Sequence, residues 1–401
     1  MKIQLFYMIS FCSIVFGKHF YCNKDSAIAS FKRPTYDFSV RILDRVSQQT
    51  DGHFVFSPIS TWLQLITLAE GAIGPTAEEI WNVTRYHRVR CFRRKFREVL
   101  NIMNEDFSPM TKRSSTFVIN KLVDVKKTFA DEAMKSRDTT IVSVDFDDPV
   151  AAAEKVNEII NRNTDGVIDE GFYEDDFDLT ILLMTDTAYF RGDWQSPFNP
   201  AYTSNEPFHS ETNQRIGEVR LMSQIGYFNV TDVPTINATV LELPFGPDGR
   251  MSMLVVLPKR GSVEDLYFNL HDIRLMTIYS LFRLNGPKLV SVRLPRFKVR
   301  TELENIPELV YDMGVKRIFY PHLADLSGIS EHLTHASLMT QIADIEITER
   351  GANATAAPEF LISDSAANEE FVANRPFAHL IVDKKTDIIL FAGIYSNPSI
   401  Y

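Results

Sequence analysis

The chain of 401 residues has only three cysteines and, beyond its first twenty positions, no apolar run of about 18 residues. So few cysteines exclude the disulfide scaffold of small secreted domains, and the missing run excludes a spanning helix. G-x-S-x-G, H-E-x-x-H, a P-loop, a dinucleotide fingerprint and C-x-x-C are all absent, so the sequence offers no residues for a hydrolase and calls for no cofactor. His332 and His335 form an H-x-x-H with no third ligand near them in sequence, so a solvated loop is expected there and no metal site. A basic excess is missing too. Lys and Arg number 42 against 52 Asp and Glu, a net charge of −10, opposite in sign to a nucleic-acid footprint. Length alone suggests two or three domains at about 150 residues each. With no repeat, low-complexity block or Gly/Ser/Pro-rich linker, one large domain fits better.

What is present begins with residues 1–17. Lys2 supplies a positive start, positions 3–16 are almost wholly apolar, and Val15-Phe16-Gly17 offers a cleavage point. This predicts a secretory signal peptide. Its removal takes Cys12 and leaves Cys22 and Cys91, either one bridge or two free thiols. Sequons at Asn82, Asn229, Asn237 and Asn353 fit a secreted glycoprotein.

Ser57-Pro58 reads as a helix start, a hydroxyl cap followed by proline at the first helical position. Thr76-Ala-Glu-Glu79 reads as a capping box, and Ser262-Val-Glu-Asp265 resembles one. Helices are expected near 36–48, 58–69, 76–82, 92–104, 127–136, 149–163, 263–271 and 304–313. Strand-like runs cover 115–122, 141–146, 179–190, 251–257, 288–297, 341–348, 377–382 and 388–395. Helices dominate the first half and strands the second, which predicts an α+β fold with large sheets. Residues 349–375 break the pattern. They are rich in Ala, Asn, Ser and Glu and lie between two strand-like runs. So long a connection inside a compact domain is functional or disordered.

Several motifs then resemble the serpin family in order. They include Phe54-Val-Phe-Ser57-Pro58-Ile-Ser60, Gly71 to Glu79, Tyr189-Phe-Arg-Gly192-Asp-Trp194 with Pro197-Phe198, and Met251 to Pro258. Leu294-Pro-Arg-Phe297, Ala324 to Gly328, Asn374-Arg-Pro-Phe377, Ile389 to Gly393 and Asn397-Pro398 complete the series, which runs from about residue 30 onward. The resemblance implies a single serpin domain over 18–401, with three β-sheets, eight or nine helices and an exposed reactive loop at 349–375. It also implies a suicide-substrate mechanism. A serine protease cuts the loop, the loop enters the main sheet as a new strand, and the acyl-linked protease is carried along and distorted.

On that resemblance the hinge is Glu349, Gly351, Ala352, Asn353, Ala354, Thr355, Ala356, Ala357 and Pro358. An inserted strand alternates faces, so Ala352, Ala354 and Ala356 share the inner face, with Asn353, Thr355 and Ala357 outward. Asn353 replaces the family's usual Glu. Pro358 stands where Thr is commoner and lacks an N–H for the ladder. Losing one bond costs on the order of 1 kcal/mol. Pro358 therefore also admits a non-inhibitory serpin, a carrier or storage protein. Family spacing from Gly351 and back from Pro376 both place the reactive bond at Ser365–Ala366, with Leu361 or Phe360 serving in a shifted register. No Lys or Arg lies between Gly351 and Asn374, so a trypsin-like pocket with its buried carboxylate is disfavoured against an elastase- or chymotrypsin-like one.

The family's shutter, which ties strands that must part, maps to Ser57, Ser60, Asp186 and Gln341. The expectation is a hydrogen bond from the Gln341 amide to the Asp186 carboxylate. A basic run of Arg85, Arg88, Arg90, Arg93, Arg94, Lys95 and Arg97 shares its region with the apolar Phe92, Phe96, Val99, Leu100 and Met103. Its cations are expected mostly outward, either as a solvated face or as a sulfated glycosaminoglycan site of the kind some serpins carry on this helix. The expected partners are a target serine protease and possible glycosaminoglycan, with no nucleic acid and no membrane span. The protein is expected to be a secreted, extracellular monomer.

Overall fold

The structure is a computed structural model. It describes residues 21–169, 171–177, 180–351 and 369–401. The expected signal peptide, the hinge residues Ala352 to Pro358, the Asn353 sequon and the reactive bond Ser365–Ala366 lie outside these residues.

Nine α-helices stand among the described residues: α1 (Lys24–Gln49), α2 (Pro58–Ala69), α3 (Gly74–Thr84), α4 (Arg90–Phe107), α5 (Lys127–Ala133), α6 (Pro149–Asn163), α7 (Asp265–Asn269), α8 (Leu275–Asn285) and α9 (Ile306–Met313). The strands are β1 (Phe54–Phe56), β2 (Thr111–Asn120), β3 (Thr139–Val144), β4 (Leu182–Arg191), β5 (Ser204–His209), β6 (Arg215–Val233) and β7 (Ala238–Phe245). They continue with β8 (Met251–Pro258), β9 (Lys288–Pro295), β10 (Phe297–Leu303), β11 (Ala336–Ile347), β12 (Glu369–Val372), β13 (Phe377–Asp383) and β14 (Ile388–Tyr395).

Hydrogen bonding joins the strands into two networks. One has five strands in the order β10-β11-β4-β2-β3. The other runs β1-β14-β13-β8-β7-β6-β9-β12, with β5 also on β6. Within the larger network β6 pairs with β7 over its last five residues and with β9 and β5 over its earlier ones. This 19-residue strand thereby links two sheet blocks.

The five-stranded sheet is covered on both faces. On one face α2 is buried along its whole length, as a central helix with no solvent side must be. On the other, Val156, Ile159 and Ile160 of α6 form an apolar cluster with Leu183 of β4 and Ile342 of β11. Strands covered twice read as continuous apolar runs, and β4 is buried from Leu182 through Ala188.

Several expectations from local sequence are overturned by tertiary contacts. The first helix continues N-terminally through Pro34, although an interior proline costs about 3 kcal/mol. Ala27, Ile28 and Phe31 are buried on those early turns, and Phe31 stacks on Phe96 at 4.2 Å. Asn23 and Ser26 close a capping box there. The box expected at Thr76 to Glu79 does not cap α3. The Thr76 hydroxyl donates to Leu323 O and accepts from Asp325 N–H, while Glu79 accepts from the N–H groups of Lys316 and Arg317. Both side chains instead hold the 316–325 segment. Ser262 does not cap α7 either, since its hydroxyl accepts from Glu264 N–H in a local turn. Helix α8 and strands β1, β5, β6, β7, β10 and β12 were not expected.

Candidate functional site

The feature that distinguishes the five-stranded sheet is the contact between β4 and β11. These strands run parallel, in register from Leu182 opposite Ala336 to Arg191 opposite Glu346. They are far apart in sequence, and β11 leads directly into the 349–375 segment.

Polar side chains crowd the inner face of this seam. Ser57, at the N-terminus of α2, donates its backbone N–H to Gln341 Oε1 at 2.6 Å, and Gln341 Nε2 donates to Ser57 O at 3.0 Å and to Thr61 Oγ1 at 3.3 Å. The Ser57 hydroxyl donates to Leu390 O at 2.7 Å and shares a 2.9 Å bond with Ser60 Oγ. The expected shutter residues are therefore together, but the expected bond is not made. Gln341 is in register beside Asp186, yet its amide turns to α2, where Ser57 offers a donor and an acceptor at once. The tie runs from β11 to the helix and leaves β4 out. Neither Asp186 oxygen has a hydrogen-bond partner among the described residues. Burial pushes this carboxyl up to about 7, against the opposing pull of Arg113 and a smaller one from Ser115 opposite on β2. Arg113, itself buried and ion-paired with Asp138, is pushed down to about 10 by burial. Thr61 and Arg113 belong to the site and were missed. Thr61, one turn after Ser57, was findable by helical spacing; nothing in the local sequence marked Arg113.

At the upper end of the seam the chain leaves β11 under tight control. Trp194, stacked on Phe245 at 4.2 Å, donates Nε1–H to Thr348 O and its backbone N–H to Arg350 O, and Phe198 N–H bonds Glu349 O. The Glu349 carboxylate is buried, accepts from Thr203 Oγ at 2.8 Å and lies 3.4 Å from Arg296. Gly351 forms a parallel bridge with Trp194. A Cβ on Gly351 would lie 2.4 Å from Pro197, so only glycine passes here. Beyond the loop, β12 pairs with β9 of the other network.

The remaining candidates are scattered. Cys22 and Cys91 form a disulfide with a Cα–Cα distance of 6.3 Å, tying the start of α1 to α4. Asn82 and Asn237 are exposed, whereas the Asn229 amide donates to the buried Glu242 at 2.7 Å. The basic run faces mostly outward as expected, with Arg85, Arg88, Arg90 and Arg94 exposed, but neighbouring acids neutralise much of its charge. Arg97 is buried between Glu70 and Glu132, and Arg93 also faces Glu70. Arg85 pairs with Asp37, Arg88 with Glu78, Arg90 with Glu132 and Lys95 with Glu98. Six of the seven cations sit near an acid, Arg94 being the exception, and for most of them separation in sequence hides the arrangement. Among the described residues no group of three His, Cys, Asp or Glu is placed to hold a metal, and no helix is long and apolar enough to cross a membrane.

A family model described as serpin (serine protease inhibitor) matches residues 34–398. The human protein Z-dependent protease inhibitor is 29% identical over 377 residues, covering 92% of this chain and 83% of that protein. The crystal structure of the mouse protein Z-dependent protease inhibitor superposes with a TM-score of 0.78 at 26% identity, covering 93% of this chain and 99% of the other. Native protease nexin-1 with heparin gives a TM-score of 0.81 at 23% identity over 93% of this chain and 100% of the other, a likeness of fold alone.

Proposed function

Because the chain belongs to the serpin family, we propose that it is a secreted suicide-substrate inhibitor of a serine endopeptidase, cut at Ser365–Ala366. The observation that carries this reading is the parallel β4–β11 ladder with the root of the loop at its upper end. A segment that leaves β11 and folds back must run antiparallel to β11, and hence antiparallel to β4 as well. One parallel ladder is then exchanged for two antiparallel ones, which pair better per residue. The ladder spans ten pairs, and residues 352–361 are enough to line it.

The chemistry is an interrupted acyl transfer. The protease serine oxygen attacks the Ser365 carbonyl carbon, the Ser365–Ala366 bond breaks, and the amine of Ala366 leaves with the proton relayed by the protease base. The ester to Ser365 persists if insertion outruns its hydrolysis. Insertion must separate the seam strands beneath α6, whose apolar side shares one buried cluster with Leu183 and Ile342. Ala352, Ala354 and Ala356 enter on the inner face without bulk. The loop's lack of basic residues favours an elastase- or chymotrypsin-like target over a trypsin-like one.

The test is incubation with elastase, chymotrypsin and trypsin followed by denaturing electrophoresis and melting of the cleaved product. A covalent complex with one of the first two and a higher melting temperature after cleavage are expected. Clean cleavage with no complex and no rise in melting temperature would overturn the reading. A second reading, a non-inhibitory serpin, is favoured by Pro358 alone. It predicts cleavage without complex, and under it P358T restores nothing.

Asn82, Asn229, Asn237 and Asn353 are the proposed glycan sites, with Asn229 the least favoured because its amide is held by Glu242. Residues 85–97 are the proposed site for a sulfated glycosaminoglycan. Six of its seven cations already face carboxylates, so elution from heparin at low salt is expected.

A further inference from the structure

We infer that Tyr401 is a positioning residue for strand insertion, holding Glu346 in its pair with Arg191 and so setting how readily β4 and β11 part. The inference rests on the insertion reading above. Glu346 and Arg191 are the last register pair of the seam, one on each strand, and their side chains meet at 2.7 Å. Side chains alternate along a strand. Both residues therefore project on the face of Ile342, the outer face, opposite Gln341. This ion pair is the only side-chain bridge described at that end that crosses directly between the two strands, and an entering strand must break it.

Tyr401 fixes the pair from a third direction. Its hydroxyl donates to Glu346 Oε1 at 2.7 Å, while Arg191 approaches Oε2. Both carboxylate oxygens are thus engaged, and the group cannot swing toward solvent without giving up one of them. The Tyr401 ring lies under the Arg296 guanidinium at 5.1 Å, and Arg296 also faces Glu349 at the root of the loop. Tyr401 is carried there by the segment after β14. In that segment Pro398 packs against Gly217, leaving no space for a Cβ, and Ser396 is held by His53 and Gly52. The tyrosine therefore touches both the pair that locks the seam and the cation that holds the loop root. Arg191 alone, on an exposed strand end, would make the weak pair usual at a surface; a carboxylate pinned at both oxygens loses less entropy in making it.

The test uses the full chain as Y401F and Y401A, with a synthetic peptide of residues 351–364 as probe for the seam of uncut protein. Peptide uptake is followed by the rise in melting temperature with time. Y401F, which loses only the hydroxyl, is expected to take up peptide about five- to tenfold faster than wild type. Tenfold corresponds to about 1.4 kcal/mol, the scale of one hydrogen bond to a charged group. Unfolding in urea before uptake should lose no more than this same amount, because the bond is absent from the unfolded chain too, so the readout that a merely structural role would not move is the dependence on Glu346. In an E346Q background the Y401F effect should shrink to under twofold, since the tyrosine acts through that carboxylate. Equal uptake by Y401F and wild type overturns the inference even if Y401A proves unstable. If wild type neither takes up peptide nor gains melting temperature on cleavage, the insertion reading itself fails, and Tyr401 falls with it.

Discussion

Replacing His379 should flatten the acid side of the stability curve. His379 lies in the middle of β13, paired with Gly393 on β14 and Val255 on β8. It is fully buried against the rings of Phe297 and Phe377, and neither ring nitrogen has a hydrogen-bond partner among the described residues. Burial, with a lesser contribution from His53, pushes its pKa down from 6.5 to about 3. The lowered value fixes the sign. Between pH 6.5 and 3 the unfolded chain binds a proton that the folded chain refuses, so stability is lost as pH falls through this window. Each unit costs about 1.4 kcal/mol. From pH 7 to pH 5 the titrating span is about 1.5 units, so the loss from this residue is about 2 kcal/mol. H379L removes the titration at similar volume and also removes an unsatisfied buried polar group worth about 1–3 kcal/mol. The assay is urea unfolding of wild type and H379L at pH 7, 6 and 5. The difference between the two should grow by about 2 kcal/mol from pH 7 to pH 5, with H379L at least as stable at pH 7. Parallel profiles would refute the reasoning, because shared titrations, Asp186 among them, cancel in the difference.

Asp186 gives the opposite slope. Its carboxyl, raised from 3.8 to about 7, binds more protons folded than unfolded, so its contribution to stability falls as pH rises from 4 to 7; melting of D186N between pH 5 and pH 8 should show a flatter profile and a gain over wild type at pH 8. Removing the disulfide as C91S opens a cross-link 69 residues apart and should lower unfolding free energy by about 2–4 kcal/mol, measured by urea titration beside dithiothreitol-treated wild type. G351A forces a methyl against Pro197, so the loop root must shift; faster cleavage by elastase and a lower fraction of covalent complex are expected on a gel. P358T restores a backbone N–H to the inserting strand and should raise the fraction of complex over clean cleavage in the same assay.

Some elements were legible because their causes are local. Ser57-Pro58 marks the start of α2 without any partner in view, and the bounds of α2 and α6 match the expected 58–69 and 149–163. The apolar run around 182–191 announces a strand covered on both faces. The start of α1 was not legible, because Pro34 argues against a helix there and only the burial of Phe31 against Phe96 and Trp62 outweighs it. Strand β6 was hidden for a related reason. It carries Gly217 and Gly226 and an irregular burial pattern, because successive stretches face different neighbours.

By itself the amino-acid order settled the family, since ordered motifs over most of the chain are a property of the sequence and need no contact to be read. It also carries the small residues Ala352, Ala354 and Ala356 at every second position after Gly351, a pattern of residue order alone. Only the tertiary structure decided where Gln341 spends its amide, that Asp186 goes without that amide, and that Arg97 is buried. These outcomes depend on groups up to 284 residues apart in sequence competing for one donor or acceptor. Residue type states what a side chain is able to bond, but its nearest competitor in space decides what it does bond.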